Sequence, residues 1–274
     1  MHRQTRRGSP RAWLIAGTGD GLRLACALHQ CGWRLLVSVV SQEAARRYPE
    51  DPGLELAVGA IENTAGVLAQ LERARLDGDP FLAVVDASHP FASRITARLV
   101  QAWQELQPAL CPPLFRLRRG ELDDPPLARL RRLPDLEALA SIPLHGRRLL
   151  LAVGSRHLSQ AVSLSPGAVH HARLPPTPMA LQQGGAAGLM ADRLACLRPG
   201  DPAELGVLRA LLLRWQIDTV LCRQSGGVTE ALWRGLAGEL ELTLLLLVRP
   251  TEPAGLLLLE WEPLLEALQR LRDA

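Results

Sequence analysis

Short apolar runs that break off into glycine-rich or polar turns, with helical patterns set between them, recur along this chain, and this alternation restricts its fold more than any other feature. The first run, Trp13-Leu14-Ile15-Ala16, ends in Gly17-Thr18-Gly19-Asp20-Gly21, after which Leu22, Leu24, Ala25 and Leu28 recur at helical spacing as far as Gly32. Further runs at 35–40, 54–58, 81–85 and 114–117 predict strands, and the patterns at 43–48, 63–75 and 90–106 predict helices, with Pro90 at a first helical position. The strand pattern restarts at 149–153, 168–174, 219–222 and 244–248, with helices predicted at about 229–236 and at 263–272. Strands that alternate with helices argue for an α/β fold whose parallel sheets are covered on both faces.

A chain of 274 residues has room for about two average domains. Residues 118–143 are rich in Asp, Pro and Arg and hold no strand-length apolar run, which puts the boundary there. The expected organisation is a Rossmann-like domain over 1–118, a linker over 119–147 and a second Rossmann-like domain over 148–274, with a cleft between the two. Residues 1–11 read as a frayed arm, since Ala12–Ala16 is too short for the apolar core of a secretion signal.

Charge narrows the possible chemistry. The 31 basic residues are all arginine, which excludes a Walker-type lysine, a Schiff-base lysine and a lysine general base. Anions must then be gripped by guanidinium forks, helix N-termini and backbone amides. A net charge of +3 is too balanced for a nucleic-acid surface, so no nucleic-acid partner is expected. The runs 242–248 and 256–259 fall short of the roughly 20 residues a membrane helix needs, so no membrane partner is expected either. Five cysteines, odd in number and never spaced C-x-x-C, suggest neither a disulfide framework nor a metal site and fit a reducing cytoplasm.

Parallel α/β sheets present ligand sites at the carboxyl ends of their strands. Four turns fall there: 17–21, 86–91, 154–156 and 223–227. The first lacks the G-x-G-x-x-G spacing, and a bare turn and a phosphate cradle are equally consistent with it. At Asp86-Ala87-Ser88-His89-Pro90 a capped strand-to-helix turn, with Ser88 or His89 near the N-cap, competes with an acid–base site built on the histidine. His170 and His171 are adjacent in a strand, point to opposite faces and read as structural rather than as metal ligands.

Taken in order, Gly17-Thr18-Gly19-Asp20, Ser38-Val39-Val40-Ser41, Asp86-Ala87-Ser88-His89-Pro90-Phe91-Ala92 and Arg223-Gln224-Ser225-Gly226-Gly227 resemble the precorrin-6A reductase family, including its cobalt-precorrin-6A form. Gly154-Ser155-Arg156 is similar to that family's glycine turn in the second domain. Ser88 stands where the family usually has Thr, and Arg223-Gln224 where many members have Lys followed by an acid. The resemblance implies two Rossmann-like domains and NADPH-dependent reduction of one ring double bond in a tetrapyrrole of cobalamin biosynthesis. It implies cofactor contacts from Gly17, Thr18, Gly19, Asp20, Ser38, Ser41, Arg46 and Arg47, with Ser225, Gly226 and Gly227 nearer the cleft. It further implies substrate contacts from Ser88, Gly154, Ser155 and Arg156, with Arg116, Arg118, Arg173 and Arg223 as clamps on the macrocycle's carboxylates. His89 is then the proton donor, with Asp86 orienting its imidazole and a bound water as the competing donor. A two-lobed binding protein without chemistry and a two-domain nucleotide-sugar transferase are the rival readings.

Overall fold

The computed structural model describes residues 8–107, 111–123, 129–200 and 203–274. Residues 1–7 of the expected arm and 124–128 of the expected linker lie outside the described residues. The chain divides into two units, the first made of Met1–Arg119 with Pro250–Ala274 and the second of Gly120–Arg249.

The first unit contains β1 (Arg11–Ala16), α1 (Gly19–Gln30), β2 (Arg34–Val39), α2 (Gln42–Ala45), β3 (Leu54–Val58), α3 (Thr64–Leu76), β4 (Ala83–Ala87), α4 (Ser93–Glu105) and β5 (Leu114–Leu117). The second contains β6 (Leu130–Leu133), β7 (Arg148–Ala152), α5 (Leu158–Leu164), β8 (Val169–Leu174), α6 (Pro178–Ala186), β9 (Leu194–Cys196), α7 (Glu204–Arg214), β10 (Thr219–Arg223), α8 (Val228–Glu239) and β11 (Thr243–Leu247). The chain then returns to the first unit as β12 (Leu257–Leu259) and α9 (Trp261–Asp273).

In the first unit six parallel strands lie in the order β12-β5-β4-β1-β2-β3. Alternation along β1 explains why both faces are covered. Ala12, Leu14 and Ala16 pack with Leu24 and Leu28 of α1 and Leu264 and Leu268 of α9, whereas Trp13 and Ile15 pack with Val67 of α3 and Leu99 of α4. A strand buried on both sides reads as one apolar run, which is why β1 was visible without any helical context.

The second sheet is also parallel, in the order β6-β11-β10-β7-β8-β9. On one face Leu150, Val220, Cys222, Leu244 and Leu246 pack against Leu208 and Leu212 of α7 and Trp233 and Leu236 of α8.

The expected domain limits require two corrections. The linker expected over 119–147 carries β6, which pairs with β11 from Leu130↔Leu244 to Leu133↔Leu247. Its Leu-Arg-Arg-Leu sequence conceals a strand because it lies on the sheet edge, where the exposed Arg131 and Arg132 are tolerated and deter further pairing. The C-terminal segment, expected in the second domain, instead extends the first sheet through Leu257↔Phe115 and packs α9 beside α1. Helical periodicity shows which face of a segment is buried; it carries no information about which sheet receives it.

Candidate functional site

In the first unit the carboxyl edge of the sheet begins with the turn at residues 17–21. Thr18 is the N-cap of α1 in extended backbone, yet its hydroxyl caps nothing, and its Oγ1 is buried without a hydrogen-bond partner. A side chain on Gly17 would meet nothing within 4 Å, so this turn is open to close approach. Gly21 has the opposite role. A Cβ there would lie 2.7 Å from the Cβ of Ala16, so glycine lets α1 pack directly on the end of β1. The Arg47 guanidinium reaches the same turn, with Nη2 4.0 Å from where a Cβ on Gly19 would sit. Buried Tyr48 lies beneath, its phenol pushed up to about 12 by burial against the opposing pull of Arg47. Asp20, in the first turn of α1, is paired with Arg119.

The other residues expected at the cofactor are distributed unequally. Ser41 caps α2 by accepting from the Ala44 amide at 3.2 Å, and Arg46 is the exposed C-cap of the same short helix. Ser38 is a correction. Its hydroxyl accepts from Trp13 Nε1 at 2.8 Å and is buried within the sheet, so it holds a core tryptophan instead of facing a ligand.

The turn after β4 is tightly built. Asp86, fully buried, accepts from the Ser88 amide at 2.9 Å and from the Thr96 hydroxyl at 2.7 Å, and its carboxylate lies 3.0 Å from Arg116 Nη1. Strand register brings Arg116 of β5 directly beside Asp86 of β4. Arg116, 1% exposed, also donates to the Ser88 carbonyl at 3.0 Å, to Ser88 Oγ at 3.1 Å and to Glu252 at 3.2 Å.

Three expectations change as a result. Arg116 is not a substrate clamp, because its fork is used within the protein. Asp86 does not orient His89, because its oxygens serve Ser88, Thr96 and Arg116. Neither Ser88 nor His89 caps α4; that helix starts at Ser93 with Ala92 as its N-cap, and Pro90 precedes it. What orients the imidazole is the backbone: Phe91 N–H donates to His89 Nδ1 at 3.1 Å, which leaves the ring proton on Nε2. Arg118, at the end of β5, has an exposed side chain and a backbone amide bonded to Leu259.

In the second unit Gly154 follows β7 at φ +84°, a left-handed conformation that suits glycine, and the Arg223 guanidinium lies 3.2–3.4 Å from where its Cβ would be. Strand β10 pairs with β7, and this brings Arg223 beside the turn that carries Ser155 and Arg156. Burial, and then the charge of Arg156, lowers the Arg223 guanidinium to about 10. The turn at residues 225–227 is less available, since the Gly226 amide donates to buried Glu230 at 2.7 Å. Arg173 is a further correction: it is 8% exposed and forms a buried pair with Glu204, so it stabilises β8 and α7 rather than meeting a ligand.

The two adjacent histidines have separate partners. Ser165 donates its hydroxyl to the Ala161 carbonyl and so accepts from His170 Nε2 at 2.9 Å, while the His171 ring packs 4.8 Å from Trp215. Burial lowers the pKa of both below the ordinary histidine value. Below that value, about 6.5, the unfolded chain therefore binds protons that the folded chain refuses, so stability is retained above it and lost as the pH falls. Calorimetric melting should show a lower Tm at about pH 5.5 than at about pH 8, and His170→Phe should reduce that difference. Among the described residues no cluster of His, Cys, Asp or Glu is arranged to hold a metal, and no helix is long and apolar enough to cross a membrane.

Thr96, Arg119, Glu204, Glu230 and Glu252 were not anticipated. Thr96 had a weak signal as a hydroxyl on the buried face of an amphipathic helix following Asp86, whereas the partnership of Glu252 with Arg116 spans 136 positions and left none.

Comparison with known proteins agrees with this architecture. The model of the family described as precorrin-6x reductase CbiJ/CobK matches residues 11–269. A cobalt-precorrin-6A reductase of Synechocystis is 35% identical over 253 residues, covering 89% of this chain and 90% of that protein. A precorrin-6A reductase of Rhodobacter capsulatus is 28% identical over 250 residues, with 89% and 90% covered. A solved CobK precorrin-6A reductase superimposes with a TM-score of 0.75 at 26% identity, covering 96% of this chain and 97% of that one. With a family match across nearly the whole chain, two parallel-sheet units and the distinctive turn at residues 86–92 in place, the chain belongs to the precorrin-6x reductase family, oxidoreductases of cobalamin biosynthesis.

Proposed function

We propose that this protein uses NADPH to reduce one ring double bond of precorrin-6A or its cobalt complex, with the cofactor at the carboxyl edge of the first unit's sheet. The observation that carries this reading is the buried, unpartnered Thr18 hydroxyl at the start of α1, beside the open Gly17 and in the turn that Arg47 reaches at Gly19. A phosphate oxygen would accept from Thr18 and from the first amides of α1, and the helix dipole would favour its charge. Arg47, with Arg46 next to it, is the cation for a ribose 2′-phosphate. The Ser225–Gly227 turn fits this role less well, since Glu230 already fills the Gly226 amide.

The cofactor supplies a hydride when bound. The protein's own residues do the rest. Reduction of a carbon–carbon double bond also needs one proton; for His89 to supply it, Nδ1 takes a proton from solvent and gives up the bond from the Phe91 amide, and the imidazolium donates from Nε2 to the substrate carbon, leaving a neutral ring. Asp86, Thr96 and Arg116 keep the turn rigid and hold the imidazole in place through the backbone. Arg118 in the first unit is the remaining clamp there for the macrocycle's acetate and propionate groups. Five free cysteines accord with work in a reducing cytoplasm.

Titration of NADPH fluorescence tests the cofactor site. Arg47→Ala should weaken NADPH by about tenfold, more at low salt than at high, and leave NADH almost unchanged. Equal weakening of both cofactors would place the 2′-phosphate elsewhere.

A further inference from the structure

The second unit contains a cavity of about 490 Å³ lined by Arg148, His171, Asp192, Arg193, Arg214 and Trp215, among others. Arg148, Val169 and Leu194, which open β7, β8 and β9, all border it, so it lies at the amino ends of these strands. Gly154 and Arg223 lie at the carboxyl ends, about 17 Å away across five residues of strand. The cavity is therefore separate from the Gly154–Arg156 turn of the same sheet.

Its chemistry has a definite character. Three guanidiniums face one carboxylate, leaving a surplus of positive charge. The His171 ring packs on Trp215, with centroids 4.8 Å apart at 31°, so it backs the indole. Arg148 donates to the backbone carbonyl of Trp215 at 3.2 Å. Burial, and then the charge of Arg193, holds the His171 pKa down, so near neutral pH the ring behind Trp215 is uncharged. A larger cavity, at the amino end of the first unit's sheet, lacks this character, because its Arg11 and Arg34 are already paired with Glu55 and Asp79.

We propose that this cavity is a second ligand site, which takes a flat aromatic ring bearing an anionic group, of the nucleoside monophosphate class. The ring lies against Trp215, which His171 backs, and the phosphate is held by Arg193 and Arg214, whose planar forks match its oxygens. The volume is at the lower end of small-molecule sites and suits one nucleotide. This inference does not rest on the reductase reading, because none of these residues belongs to the proposed cofactor or substrate contacts.

Calorimetric titration of the full chain with adenosine monophosphate, adenosine and inorganic phosphate tests the proposal, with NADP⁺ present in excess to fill the first unit's turn. The monophosphate should bind at least about tenfold more tightly than either adenosine or phosphate. Arg193→Glu with Arg214→Glu should weaken it by about tenfold or more. Arg214→Glu alone, at an exposed position, should weaken it in the same direction and covers the case in which the double variant does not fold. Binding that is undetectable at millimolar ligand, that is unchanged in Arg214→Glu, or that adenosine or phosphate alone reproduces in strength would overturn the proposal.

Discussion

Replacing Arg116 with leucine should cost about 3–5 kcal/mol of stability, far more than the loss of an exposed arginine. Asp86 is fully buried, and Arg116 is the cation beside it at 3.0 Å. Removing the guanidinium leaves a desolvated carboxylate with only the Ser88 amide and the Thr96 hydroxyl, and it frees the carbonyls of Ser88 and His89 that the fork now ties down. Urea unfolding of Arg116→Leu, Asp86→Asn and the double variant gives the coupling directly. The double variant should be more stable than the sum of the two single losses predicts, because neither charge is then left alone. A loss below about 1 kcal/mol for Arg116→Leu would mean that the pair behaves as an exposed one.

The second large effect concerns turnover. His89→Ala should lower kcat by about 10²–10⁴-fold, the usual range for a positioned general acid, with NADPH affinity nearly unchanged. His89→Gln should keep a side chain in the turn without a titrating donor and should stay within the same low range. Comparable losses in NADPH binding and in turnover would show that the histidine supports the cofactor site and not proton delivery. A full rate in His89→Ala would give that step to water.

Much of this molecule was legible in the sequence because parallel strands buried on both faces are written as uninterrupted apolar runs, and β3 and β5 have the predicted limits. Segments that do not obey that rule were hidden. Edge strand β6 carries two exposed arginines, and β12 follows a long excursion through the second unit before rejoining the first sheet. The turns at the strand ends were legible for the same reason as the strands.

The duties of individual charges within those turns were not. A free fork for an anion, a buried partner for a carboxylate and a brace for a turn all appear as one arginine in the sequence. Only register distinguishes Arg116, which faces Asp86, from Arg118, which is exposed two residues later. Arg173 was obscured in the same way, since its partner Glu204 lies 31 positions further on and joins it only after β8 and α7 have packed. The Thr18 hydroxyl is a further case: the sequence is equally consistent with a bare turn and a phosphate cradle at residues 17–21, and the structure leaves this hydroxyl buried and unbonded.

The most direct measurement is an anaerobic assay with purified protein, NADPH and either precorrin-6A or its cobalt complex. Loss of NADPH absorbance and the macrocycle's spectral change should advance together, one cofactor per double bond reduced, with one of the two macrocycles strongly preferred. NADPH that stays reduced in the presence of both macrocycles, while the protein is folded and binds the cofactor, would contradict the account.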